Sequence, residues 1–353
     1  MKLTPLCILH LVFSTAFGLA DGQREPPVER VASHTFSLMT ARGAAEMLFD
    51  ESLDWNQPQP QVIRAVVMFH GKSRDVDGYY RSTLQAVQRA GEQSVVTSLL
   101  IAPQFINEDD ASAHHLPDNI LRWRQGTWEG GAEALGPVSV SAYEVIDAIV
   151  THLADSRLYP NLKTIVLAGH SGGGQAIQRY AIVGKAEEVV GSSIHLRYVI
   201  ANPSSYLYFD DERPQFNGSS FIFRTETGSS CHNFDHWRFG PLGANEKYVR
   251  KSAKSGWQEL EEAYARKDVV YLLGTADIDP REKDLDVSCA GEMEGPTRFL
   301  RGQAYYDWLH KRHVTDWNQR LWLVQKVAHS AGKMFTSECG VAALFEWPTC
   351  QDH

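Results

Sequence analysis

One serine in this chain stands where its neighbours equip it for chemistry. Gly169-His170-Ser171-Gly172-Gly173 has the form G-x-S-x-G and lies between an apolar run, 164–168, and a helical pattern starting near Gly173. A sharp strand-to-helix turn leaves such a serine in a strained backbone conformation with Oγ projecting outward. Its neighbours two positions away must be small, because the strand and helix backbones come close together there. The helix start behind it offers free N–H groups and a positive dipole end, both suited to a developing oxyanion. The chemistry indicated is nucleophilic attack by Ser171 on an acyl carbon. A phosphate-binding loop fits less well: Gly169 and Gly174 match its glycines, but Gln175 and Ala176 stand at its lysine and hydroxyl positions. The remaining alternative is a glycine-rich turn without chemistry, which weakens only if a base and an acid are at hand.

On this motif the chain resembles the α/β-hydrolase superfamily, over about Thr35 to Phe345. The superfamily's order is nucleophile, acid, histidine. In "YLLGTADIDP" the resemblance assigns the acid to Asp277, with Gly274 opening the turn. Asp279 is second choice, and Asp210 third, because some members carry the acid after the preceding strand. Of 14 histidines, the match is His329 in "VAHSAGKMF", between the last strand and a helix start. The implied roles are a base that takes the Ser171 proton and returns it to the leaving group, and an acid that fixes the imidazole. For the oxyanion hole, the resemblance implies the Gly172 N–H and a second donor from Gly71 or Lys72 in "VVMFHGK". There His70-Gly71 resembles the superfamily's H-G turn, the extended H-G-G-G form is absent, and His70 is expected to orient the loop.

Other constellations are weaker. "RWRQGTWEGG" and "NPSSYLYFDDERP" place Trp123, Trp128, Tyr206 and Tyr208 at the strand C-terminal edge, where open α/β sheets bind ligands. They are candidates for an acyl or aryl pocket, with packing of the loops onto the sheet as the alternative. These two stretches resemble a narrower, poorly characterised group of secreted α/β-hydrolases, which implies the fold and a serine-hydrolase site but no substrate. Cys231, His232 and His236 would suit a metal only on a helix, and the glutamate of H-E-x-x-H is missing. His114-His115 reads as a solvated loop. Neither a metal nor a cofactor is expected.

The elements that must position these groups alternate. β-type runs fill residues 34–70, a helix is expected near Tyr80–Ala90, and "SLLIAPQF" reads as a strand. Ser141-Ala142-Tyr143-Glu144 has the capping-box form, followed by Val145, Ile146, Ile149 and Leu153 at helical spacing. After the Ser171 turn, "RYVIANPSSYLYF" reads as a strand, and helices are expected near Trp257–Arg266 and Gln303–Lys311. "DVVYLLG" and "RLWLVQKVAHS" complete the strands. The pattern predicts one α/β domain over 34–353. Its sheet should be mostly parallel with helices on both faces, with insertions at the C-terminal edge and a cap-like insertion at about 210–267.

The N-terminal "LCILHLVFSTAFGLA" reads as a secretory signal over 1–20, followed by a leader over 21–33. Removing it leaves Cys231, Cys289, Cys339 and Cys350, which allow three pairings. The sequence-local pairing is Cys231–Cys289 with Cys339–Cys350. Asn217-Gly218-Ser219 is a glycosylation sequon. At 43% hydrophobic and 22% charged residues the chain can build a large core, and a formal charge of −9 disfavours nucleic acid as a partner. No stable membrane insertion is expected. The reading is a secreted serine hydrolase acting on small or oligomeric carboxylic esters. Three alternatives stand beside it: a peptidase or amidase with the same triad, a lipase, and a non-catalytic binding protein on a hydrolase fold.

Overall fold

A computed structural model describes residues 25–218, 220–226, 230–346 and 350. The expected signal and Ser219 of the sequon lie outside the described residues. Eight strands form one sheet: β1 (His34–Thr40), β2 (Gly43–Glu51), β3 (Arg64–Phe69), β4 (Ser98–Gln104), β5 (Thr164–His170), β6 (His195–Ala201), β9 (Asp268–Gly274) and β10 (Gln319–Val324). Two short strands, β7 (Glu212–Phe216) and β8 (Phe221–Thr225), form a separate hairpin. The sheet order is β1-β2-β4-β3-β5-β6-β9-β10. β1, β2 and β4 pair antiparallel, and every pair from β4 to β10 is parallel.

Parallel strands need covered faces, and the residues show how both are covered. On β3, Ala65, Val67 and Phe69 enter one core while Val66 and Met68 enter the other; Ile165 and Leu167 alternate with Val166 and Ala168 on β5. Helices Ala142–Leu153 and Gly172–Val183 cover the first face. Val76–Arg89 and the C-terminal helix Glu338–Phe345 cover the second. The capping box closes as the sequence predicts: Ser141 accepts from Tyr143 N–H, and Glu144 accepts from Ser141 N–H.

Three expectations need correction. β6 stops at Ala201, because Asn202 takes a φ of 40° and Pro203 follows; "NPSSYLYF" is an irregular buried loop. Residues 25–33, expected to precede the domain as a leader, pack into it. Val28 and Ala32 are buried, and their N–H groups donate to Asp110 and Gln104. Finally, none of the described residues from 210 to 267 lines the cleft that holds Ser171. That segment packs beside the sheet through Arg213, Tyr248, Val249 and Tyr264, all buried, so it does not cap the cleft.

The two disulfides join the sequence-local pairs, Cys231–Cys289 and Cys339–Cys350, with Cα separations of 5.8 and 4.7 Å. No helix among the described residues is long and apolar enough to cross a membrane.

Candidate active site

Ser171 sits at the tip of β5 with φ 57° and ψ −120°, a conformation that costs an L-residue energy and holds its side chain away from the chain path. The glycines allow this. A methyl group on Gly169 would lie 2.3 Å from the Gly173 carbonyl carbon, and one on Gly173 would lie 2.3 Å from Phe69 O. The helix Gly172–Val183 starts immediately behind without a side-chain cap, leaving its first N–H groups available.

The acid and histidine arrive on β9 and β10. These strands are neighbours, and their following loops are joined by hydrogen bonds: Thr275 N–H donates to Val324 O, and Ala276 N–H to Val327 O, each over 3.0 Å. Gly274 is required by this approach, since a methyl there would lie 2.3 Å from Val327 O. His329 Nδ1 is 2.8 Å from Asp277 Oδ2. An ionised carboxylate only accepts, so Nδ1 carries the proton and Nε2 keeps the basic lone pair. Asp277 is buried, while Ser171 and His329 both line one cleft of about 490 Å³. No hydrogen bond joins Ser171 Oγ to the imidazole in this structure; such contacts commonly tighten only around substrate. The other two acid candidates lie elsewhere: Asp279 is exposed, and Asp210 is 2.7 Å from Arg312.

The loop after β3 lies against the start of the helix behind Ser171. A methyl on Gly172 would lie 3.0 Å from Lys72 N and 3.4 Å from Gly71 C, so the Lys72 amide is the one set against Gly172. Gly71 O is held in place by Arg74 N–H and by His70. Phe105 N–H donates to His70 Nε2 over 2.9 Å, which leaves Nδ1–H to donate to Gly71 O over 2.8 Å. Burial pushes the His70 pKa down to about 4, outweighing the Gly71 bond that favours the charged form. His70 is therefore a neutral strut for this loop.

His170, beside the serine, is buried. Burial first, then the neighbouring His329 and Arg298, hold its pKa well below the usual imidazole value. Its Nδ1 is 3.2 Å from Tyr79 Oη, and its ring lies 4.4 Å from that of His329.

The four aromatics nominated for substrate contact do not line the cleft. Trp123 and Trp128 pack with Phe105 in the core, Trp128 also lying against His70. Tyr206 stacks on Tyr305, and Tyr208 packs between Tyr305, Trp308 and Arg213. Their loops fold inward over the first sheet face, where apolar rings are worth more buried than wet. The cleft wall instead carries the charged and polar side chains Lys72, Ser73, Asp75, Glu282, Lys283 and Asp284 beside apolar surface. At the other candidate site Cys231 is committed to its disulfide.

Two buried arginines near the site gave no signal in the sequence. Arg74, itself at φ 59°, grips Asp110 with Nε and Nη2 and donates to Pro26 O and Lys72 O. Arg298 lies against Asp277 and Glu282.

No family model and no curated protein matches this sequence. Solved structures do. The chain is similar to poly(aspartic acid) hydrolase-1 from Sphingomonas sp. KT-1, with TM-score 0.56 and 18% identity over 88% of this chain and 96% of that one. It is also similar to a poly(3-hydroxybutyrate) depolymerase from Bordetella parapertussis, with TM-score 0.58 and 16% identity over 89% and 91%. The sheet order, its two covered faces and these matches establish the α/β-hydrolase fold.

Proposed function

We propose that this protein is an exported serine hydrolase that cleaves carboxylic esters through an acyl-enzyme, using Ser171, His329 and Asp277. The observation that carries the reading is the His329–Asp277 hydrogen bond, placed with Ser171 on one cleft. Ser171 Oγ attacks the acyl carbon as His329 Nε2 takes its proton. The carbonyl oxygen becomes an oxyanion facing the Gly172 and Lys72 N–H groups. Asp277 holds the tautomer and favours the imidazolium. His329 then gives the proton to the departing alkoxide. Water, deprotonated by the same nitrogen, hydrolyses the acyl-enzyme and restores Ser171. The fold neighbours support the reaction class, since both are named for hydrolysis or depolymerisation. The two disulfides support an extracellular setting.

The charged side chains along the cleft wall favour esters that carry hydrogen-bonding groups. Among the described residues no cap covers it, which weighs against the lipase reading.

The test is covalent labelling of the purified protein by a fluorophosphonate probe, beside a folded Ser171→Ala control. Labelling of the wild type alone is expected. A folded, disulfide-intact wild type that stays unlabelled overturns the reading and returns the binding-protein alternative; cleavage of amides but not esters replaces it with an amidase.

A further inference from the structure

The Arg298 side chain is fully buried at the start of the helix Arg298–Arg312. Its Nη1 lies 3.6 Å from Asp277 Oδ1 and 2.7 Å from Glu282 Oε2. Asp277 spends its other oxygen, Oδ2, on His329. Nε, Nη1 and Nη2 of Arg298 all lack a hydrogen-bond partner, so its ion pairs with the two carboxylates are what offsets this buried charge. Glu282 is only partly buried and lines the cleft, so the chain of contacts runs from the cleft wall through Arg298 and Asp277 to the imidazole.

We propose that Arg298 is a positioning residue: paired with Asp277 and Glu282, it sets the charge that the acid presents to His329 and ties the cleft wall to that acid. This rests on the serine-hydrolase reading. Two negative groups and one positive group surround a neutral imidazole at rest, leaving one net negative charge that the imidazolium cancels when Ser171 gives up its proton. Arg298 limits how strongly the carboxylates favour that imidazolium, and Glu282 strengthens them. Other charged or titratable groups on the cleft are His170, Tyr79, Asp75, Lys72, Lys283 and Asp284, with Lys333 on the helix that follows the histidine. None of these forms an ion pair with both Asp277 and Glu282.

The two partners therefore act on His329 with opposite sign, which a merely structural role would not produce. Arg298→Gln should move the acid limb of kcat/KM to higher pH by about one unit. Glu282→Gln should move it to lower pH by a smaller amount, its carboxylate being partly solvated, and Arg298→Lys should return it close to wild type. The full chain is assayed on p-nitrophenyl acetate across pH. In parallel, the His329 imidazole is titrated by NMR in each variant. Opposite shifts support the proposal. Folded variants with an unmoved limb and an unmoved His329 titration, or with shifts of the same sign, overturn it. If Arg298→Gln does not fold, the sign of the Glu282→Gln shift decides. If the wild type hydrolyses nothing, the hydrolase reading fails, and the imidazole titrations still decide the place of Arg298.

Discussion

Asp277 offers His329 one oxygen at 2.8 Å, and that single bond selects which imidazole nitrogen faces the serine. Asp277→Asn can present an N–H there instead and favour the wrong tautomer, so kcat should fall by about 10³–10⁴ with the fold intact. Steady-state kinetics beside a circular dichroism melt checks this; near-wild-type turnover would move the acid elsewhere. His70 makes a second residue-level prediction, about stability. Its pKa is about 4 in the folded protein against an ordinary value of 6.5, so the unfolded chain takes the proton first. Stability contributed by His70 is present above pH 6.5 and is lost as the pH falls toward 4, by about 3 kcal/mol in all. Urea unfolding of wild type and His70→Asn should therefore show the wild-type advantage shrinking between pH 7 and pH 4.5. An advantage that stays constant would mean His70 takes its proton as easily folded as unfolded.

At the scale of elements, the site depends on two close crossings: strand β5 against its own helix, and the loop after β9 against the loop after β10. Gly173→Ala would press a methyl onto Phe69 O and His70 O, at 2.3 and 2.7 Å, in backbone that has little room to retreat. A loss of about 2 kcal/mol or more is expected, together with loss of activity, and a urea midpoint near wild type would count against the tight elbow. These crossings explain what the sequence disclosed. The elbow needs its glycines within five consecutive residues, and Gly274 and Asp277 share one turn, so Ser171, Asp277 and His329 of the proposed triad could each be nominated from local pattern, chain order and the family resemblance. Partners set by distant segments could not. Arg74 and Asp110 are 36 residues apart, and Arg298 reaches Asp277 from a different helix. The aromatics misled for a related reason. Trp123, Trp128, Tyr206 and Tyr208 stand in connections, and nothing in their local spacing shows that those connections fold under the surface. "NPSSYLYF" resembled strand because of its aromatic residues, although Pro203 in the sequence and the positive φ at Asn202 in the structure mark the break.

For the molecule as a whole, the disulfide Cys231–Cys289 fastens the flanking segment 210–267 to the stretch that continues from Asp277 and Glu282. It closes a loop of 58 residues, worth about 4 kcal/mol in chain-entropy terms. The Cys339–Cys350 loop is only 11 residues and worth about 3 kcal/mol by the same model. Cys231→Ser with Cys289→Ser should accordingly lower the thermal midpoint more than Cys339→Ser with Cys350→Ser, and should reduce kcat at temperatures where both variants remain folded. The reverse ranking would show that the flanking segment is held by packing alone. The sheet order has one further consequence. The oxyanion loop, the serine, the acid and the histidine each follow a different strand, β3, β5, β9 and β10, in the order of the chain. A ribosome therefore makes the proposed nucleophile long before the proposed base, and β10, at the sheet edge, pairs with β9. On the proposed mechanism, no nascent chain short of residue 329 carries the base that ester cleavage needs.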